Sequence, residues 1–220
     1  MAEPQGRPRP GGANSQYDQS MTRLPRDERR AQLLTAALEI FSTSGYHTAA
    51  MDDIAERAGV TKPVLYQHFP SKLDLYLAVL DLHIDSLVYE VQKAIASKKE
   101  NVDRVHATTE AYFRFIDSES EAFRLLFESD ALAEPQVQER LNRMTYECAR
   151  AVSAVIAVDT GLPEESAMML GVGLIGTAQV TARYWLNRDG RLPLEKAAEF
   201  VAQLQWRGIS SFPIEPGALG

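Results

Sequence analysis

The run DDIAERAGVTKPVLYQHF, Asp52 to Phe69, constrains the fold more than any other part of the chain. Ile54, Ala55 and Ala58 form the apolar stripe of a helix of about two turns, Met51–Ala58. Gly59 stops it, because glycine enters the left-handed conformation that a sharp helix exit requires. Val60 then packs inward. Thr61 is a good N-cap, and Pro63 suits a first helical turn, where a missing N–H costs nothing. A second short helix follows at once. Two short helices joined by a four-residue turn with glycine have helix-turn-helix geometry. The second helix buries Leu65 and Phe69 and presents Lys62, Val64, Gln67 and His68. No carboxylate occurs from Thr61 to Lys72, and phosphate would repel one. A polar, hydrogen-bonding outer face of this kind fits the major groove of B-DNA. The competing reading is a core helical hairpin with no ligand.

The rest of the chain is helical in pattern. Leu33, Leu34, Ala37, Leu38 and Phe41 form one stripe, ended by Gly45. Ser71-Lys72-Leu73-Asp74 opens a long helix with Leu75, Val79, Leu82, Ser86 and Tyr89 in register. Further apolar-periodic segments run over 103–117, 120–131, 135–158, 164–187 and 194–211. Loops are marked by Pro135, Gly161-Leu162-Pro163, Asp189-Gly190 and Pro193. No segment alternates with period two over a strand's length. An all-α chain of about nine helices is expected.

Composition excludes several classes. The 220 residues are 45% hydrophobic and 24% charged, which rules out a mostly disordered chain, a collagen or a disulfide scaffold. The lone Cys148 cannot form an internal bridge. No segment has the roughly 18 uncharged apolar residues of a membrane span, and residues 1–20 lack the apolar core of a signal peptide. A cytoplasmic protein with no membrane association is expected. The net charge of −7 hides an asymmetry. Residues 1–72 carry nine Lys/Arg against eight Asp/Glu, and residues 73–220 carry fourteen against twenty-two. A small DNA-binding head on an acidic body has this distribution, as do many proteins with no partner. Residues 1–22 read as a disordered tail. That tail is either inert or an arm carrying Arg7 and Arg9, with Arg23 just beyond it, to DNA. Met21 is a candidate start.

Arg26-Asp27-Glu28-Arg29-Arg30, Ala37, Phe41, Gly45-Tyr46, Ile54-Ala55, Ala58-Gly59-Val60-Thr61-Lys62, Leu65-Tyr66, Phe69, Ser71-Lys72 and Leu75 resemble the TetR family of transcriptional regulators at fixed spacing. The resemblance implies a homodimer of all-α subunits. Each would carry a three-helix DNA-binding head (23–72), a six-helix ligand-binding and dimerisation body (73–212) and a C-terminal tail (213–220). It implies double-stranded DNA, a palindromic operator, as partner. By carry-over, Thr61, Tyr66 and Lys72 contact phosphates, and Lys62, Pro63, Val64, Gln67 and His68 face base edges. Gln67 can pair bidentately with adenine, and Val64 or the Pro63 ring can meet a thymine methyl. Ala49 and Ala50 stand where the family often has a capping Thr or Ser, with Thr48 and His47 as nearby substitutes.

A closer likeness involves Leu24-Pro25, Tyr46-His47, Lys62–Phe69, Leu75–Leu80, Phe123-Arg124, Phe127-Glu128, Glu134-Pro135 and Arg183–Leu186. These are similar to the actinobacterial branch that controls fatty acid synthase genes in response to long-chain acyl-CoA. That likeness implies an apolar effector tunnel in the body. The candidate lining is Leu87, Val91 and Ile95 on the long helix, with Tyr112, Phe113, Ile116, Phe123 and Phe127. Their density exceeds what one face of a surface helix needs; from the residues alone a close-packed core is the better account, and it is the likeness that favours a tunnel. For the head of an acyl-CoA, the body offers only isolated cations such as Arg104, Arg114, Arg124 and Arg183. A regulator with another apolar effector, for efflux or catabolism, is the nearest alternative.

Two other signals carry less. Gly171-Val172-Gly173-Leu174-Ile175-Gly176 spells G-x-G-x-x-G, the basis for a nicotinamide-dependent oxidoreductase reading. That motif needs a preceding strand and a βαβ unit, and here it lies in a helical stretch. Its small residues suit close helix–helix approach, and the TetR resemblance puts the last two helices at a dimer interface. His47, His68, His83 and His106 have no metal-ligand spacing with Cys148 or with each other, and no motif asks for a cofactor. An acyl-chain carrier with a vestigial head is the third reading.

Overall fold

The computed structural model describes residues 24–127, 129–188 and 192–209. The readings made for residues 1–22, Arg23, Glu128, Asp189-Gly190 and 213–220 lie outside them. The described residues form nine α-helices, a short 3-10 segment and no strand. The helices are α1 (Arg26–Ser44), α2 (Met51–Arg57), α3 (Lys62–His68), α4 (Lys72–Ala96), α5 (Asn101–Ser118), α6 (Ser120–Phe127), α7 (Pro135–Thr160), α8 (Glu164–Leu186) and α9 (Leu194–Ile209).

Local chemistry explains where these helices stop. Gly45 closes α1 at φ 78° and Gly161 closes α7 at φ 68°. At the end of α2 the Val60 N–H bonds Ala55 O at 3.0 Å and the Gly59 N–H bonds Glu56 O at 2.9 Å, with Gly59 at φ 63°. This is a Schellman exit, and it turns the chain directly into α3. Gln32 of α1 donates to Ala58 O at 2.8 Å, tying the same corner to the first helix. Ser71 caps α4 by accepting the Asp74 N–H.

Three expectations are corrected. Of the stripe expected on α4, Leu75 and Val79 are buried but Leu82, Ser86 and Tyr89 are exposed, because the helix turns Ile84, Leu87 and Val91 to the core instead. Thr61 occupies the N-cap position of α3, but its side chain makes no capping bond. The segment 120–131 is not one helix. α6 ends at Phe127 and a 3-10 turn, Asp130–Ala133, follows, with the Ser129 hydroxyl accepting the Ala131 N–H. Ser and Asp favour such caps over helix interiors.

One continuous apolar core runs from Leu33 to Ala198. Leu33, Ile54, Leu65 and Leu75 are fully buried where α1, α2, α3 and α4 meet. α4, 25 residues long and so about 37 Å, carries the core onward to α5 and α7. At the joint, Tyr76 is fully buried with its ring 5.1 Å from Phe41 and 4.9 Å from Tyr46. No helix among the described residues is long and apolar enough to cross a membrane.

Candidate functional site

The polar face of α3 is the first candidate. Thr61, Lys62, Pro63, Tyr66 and Gln67 are exposed, Val64 and His68 are half-buried, and Leu65 and Phe69 fill the core beneath. Neither the Tyr66 hydroxyl nor the Gln67 amide bonds another described residue, so both face outward unspent. The same holds for the Thr61 hydroxyl, which the helix does not use. Lys62 pairs with Asp52 of α2 at 2.8 Å. Both side chains are more than half exposed, so this pair contributes little and yields readily to a stronger anion.

Sequence reasoning missed a flank of this face. Arg26, Arg29 and Arg30 of α1 crowd His68. Burial, and then these three charges, hold the His68 imidazole below its ordinary pKa, so it is neutral at pH 7. Arg30 lies over the Phe69 ring at 4.5 Å. Ala50 begins α2 without a side-chain cap, and neither Thr48 nor His47 supplies one.

Lys72 has a task that the sequence does not disclose. Its ammonium donates to the carbonyls of Tyr46 at 2.8 Å, His47 at 3.0 Å and Ala49 at 3.0 Å, and lies 4.8 Å from the Tyr46 ring centre. An ammonium has three donors, and all three are engaged. Lys72 therefore pins the α1–α2 turn from within, and a direct phosphate bond would cost it one of these partners. The amide side of the same turn is held by the body. Asp130 accepts the Tyr46 N–H at 2.7 Å and the His47 N–H at 3.0 Å. Partial burial pushes the Asp130 carboxyl up, but the bonds from His47 and Tyr46 outweigh it and hold it below the usual range. Tyr76 reaches the same junction, donating to Ser129 Oγ at 2.7 Å. Burial pushes its phenol up to about 12.

A second candidate lies in the body. A partly open cavity of about 310 Å³ is lined by α5, α7, α8 and α9, with Ile95 at the end of α4. It falls at the lower end of the ~300–1,000 Å³ range of small-molecule sites. Of the eight candidate lining residues, Ile95 and Tyr112 are on its wall. Leu87, Val91, Phe113, Ile116, Phe123 and Phe127 are packed into the core instead. The wall residues that sequence reasoning missed include Val152, Ile156, Leu174, Ile175 and Trp206. Two polar groups interrupt it. At one end Asn101, Arg104 and Asp159 cluster. Further in, buried Thr109 donates to Gln205 at 2.8 Å, and Gln205 donates to Leu174 O at 2.8 Å.

The Tyr112 hydroxyl is buried and has no hydrogen-bond partner among the described residues. Burial drives its phenol far above the ordinary value. Removing an unsatisfied hydroxyl costs little, so Tyr112→Phe is expected to stay within about 0.5 kcal/mol of the parent in denaturant unfolding, or to exceed it. A loss of 1 kcal/mol or more would reveal a bond that the hydroxyl makes in solution.

The outer face of α8 and α9 is the third feature. Met169, Val172, Val180 and Tyr184 of α8, with Phe200 and Leu204 of α9, are large, apolar and exposed. A Cβ on Gly173 or Gly176, on the same face of α8, would meet nothing within 4 Å. The glycine motif thus lies inside a helix, with no strand before it.

Comparison with known proteins follows this geometry. Residues 33–79 match the profile of bacterial regulatory proteins of the tetR family. Over 213 residues, 97% of this chain and 95% of the relative, the sequence is 48% identical to the HTH-type transcriptional activator FasR of Mycolicibacterium smegmatis. It is 30% identical over 135 residues to the HTH-type transcriptional regulator HbdR of an Aromatoleum species, covering 58% of this chain and 59% of that one. Among solved structures, a TetR-like regulator from Rhodococcus sp. RHA1 superposes with a TM-score of 0.68 at 23% identity, covering 86% of this chain and all of the other. FadR of Bacillus subtilis, solved in complex with stearoyl-CoA, has a TM-score of 0.68 at 17% identity and covers 80% and 96% of the two chains. At such identities these two structures speak for the fold alone.

Proposed function

Because the chain belongs to the TetR family of bacterial transcriptional regulators, we propose that it reads an operator near lipid-metabolism genes and answers to a long-chain acyl effector such as an acyl-CoA. The observation that carries the DNA reading is the outer face of α3. It joins exposed Thr61, Lys62, Pro63, Tyr66 and Gln67 to a helix set at a Schellman turn, with Asp52 as the only carboxylate bonded to it among the described residues. Residues 23–72 act as the head and 73–212 as the effector and dimerisation body. Thr61 and Tyr66 contact phosphates. Lys62, Pro63, Val64, Gln67 and His68 face base edges. Lys72 serves this interface by holding the turn before α2.

Two heads are needed for a palindromic site, with half-sites about 34 Å or a multiple apart. The apolar outer face of α8 and α9 suits a second copy of the chain. The effector reading is supported by likeness to FasR across almost the whole chain and by the apolar cavity. FadR, which shares the fold, holds stearoyl-CoA. To switch the regulator, the effector must bind one head spacing roughly 100-fold better than the other, about 3 kcal/mol.

The test is binding to DNA from upstream of fatty acid synthesis genes, at one fixed salt concentration, with and without palmitoyl-CoA. Specific binding that palmitoyl-CoA changes is expected. Specific binding indifferent to it would remove the effector and leave the regulator. In the same assay Tyr66→Phe is expected to weaken all sequences alike, and Gln67→Ala to relax preference at one base pair by ~1–3 kcal/mol. Equal loss on every sequence from both changes would contradict that division of roles.

A further inference from the structure

We propose that the Asn101 end of the cavity is a site for an anionic head group, and that Arg104 binds it by exchanging Asp159 for carboxylate or phosphate oxygens of the ligand. This rests on the reading of the cavity as an acyl-effector site. The body is acidic, yet the charged residues on the cavity wall are one arginine and one aspartate.

Arg104 is held in position by neutral acceptors and is only loosely paired with its neighbouring carboxylate. Its Nε donates to Lys98 O at 3.0 Å and its Nη1 to Asn101 Oδ1 at 2.9 Å, both uncharged acceptors. Asp159 is only 3.6 Å from Nη1, beyond a good hydrogen bond. Its carboxylate is instead engaged by Asn101 Nδ2 at 2.7 Å. A guanidinium carries five donors, so Arg104 keeps donors for a ligand while two neutral bonds fix its plane. Its side chain is 28% exposed, which places it at the rim.

The surroundings favour an anion at the same point. Asn101 and Arg104 occupy the first turn of α5, an 18-residue helix whose N-cap, Glu100, contributes no side-chain bond. The positive end of that helix favours an anion there, against the carboxylates of Glu100 at its N-cap and Asp103 in its first turn. Lys98 and Lys99 stand in the turn just before it. From Asn101 to Tyr112 the cavity follows α5 for about 16 Å, which leads an acyl tail away from this rim. Asp159 is thus a built-in competitor. It keeps the arginine oriented until a head group with better geometry replaces it.

The competitor role gives the test a sign that mere structural support would not. Binding to the full-length dimer is measured by calorimetry and by fluorescence of Trp206, which lines the cavity, with palmitate, palmitoyl-CoA and hexadecan-1-ol. Arg104→Gln is expected to weaken an anionic ligand roughly tenfold or more and to leave the alcohol unchanged. Loss confined to palmitate assigns the head as carboxylate, and loss confined to palmitoyl-CoA assigns it as phosphate. Asp159→Asn keeps the Asn101 bond, removes the competing charge, and is expected to tighten the same ligand several-fold. Equal weakening of all three ligands by Arg104→Gln, or weaker anion binding in Asp159→Asn, would overturn the site while sparing the effector reading. Failure of the unmodified protein to bind any of the three would overturn the effector reading itself, and this site with it.

Discussion

Gly171→Ala is expected to destabilise the protein by about 2 kcal/mol, although alanine is the better helix former. Gly171 lies on the inner face of α8, against α7. A Cβ built on it falls 2.6 Å from the Ala149 carbonyl oxygen and 3.2 Å from Ser153 Cβ. The nearer atom is backbone in the middle of a 26-residue helix, so no side-chain rotation relieves the contact. Overpacking of this kind costs ~1–3 kcal/mol, occasionally more, and the ~1 kcal/mol helix preference for alanine offsets only part of it. The sister glycines separate two uses of the same motif. A Cβ on Gly176 meets nothing within 4 Å in its own chain. It shares the exposed face of Met169, Val172 and Val180, where a second copy is proposed to pack. Gly176→Leu is therefore expected to keep the helix content and to lower the dimer fraction in sedimentation, whereas Gly171→Ala lowers the melting temperature. A Gly171→Ala protein that melts with the parent would show that α7 and α8 are less closely packed than described.

The helices were legible because their ends are punctuated locally. Gly45, Gly59, Pro135, Gly161 and Pro193 each mark a boundary that backbone geometry enforces. The face of α3 was legible for the same reason, since a seven-residue helix with Leu65 and Phe69 inside leaves only one way out for Tyr66 and Gln67. The cavity was not. Tyr112 lies on its wall and Phe113, a neighbour in sequence, is packed in the core. Turning 100° around a helix decides between them, and both neighbours are apolar, so composition says nothing. The polar groups of the cavity are harder still. Thr109 finds Gln205 across 96 residues and Asn101 finds Asp159 across 58, pairings that only the tertiary packing creates. The same holds for Asp130 and the turn at Tyr46, 84 residues apart.

Lys72→Met is expected to cost about 2 kcal/mol of stability and to weaken binding to every DNA sequence alike. Methionine keeps the bulk of the stem and removes the charge and three donors. Three carbonyls, on Tyr46, His47 and Ala49, lose their partner. Hydrogen bonds to a charged group are worth ~1.5–3 kcal/mol each, and rehydration of this partly exposed turn returns some of that. The turn leads directly into α2 and then α3, so loosening it blurs the position of every contact on the reading face. Asp130 grips the amides of the same turn, and its removal in Asp130→Ala should act on the same element. A double-mutant cycle should show coupling of ~0.5–3 kcal/mol, as expected for partners on one element. Salt separates this pin from a phosphate contact. Losing one phosphate partner lowers the slope of log affinity against log salt by about one and leaves the unbound protein as stable as before. A pin that fails lowers stability and leaves that slope unchanged. Unchanged melting with a reduced slope in Lys72→Met would return Lys72 to the phosphate-contacting role that the family resemblance implies.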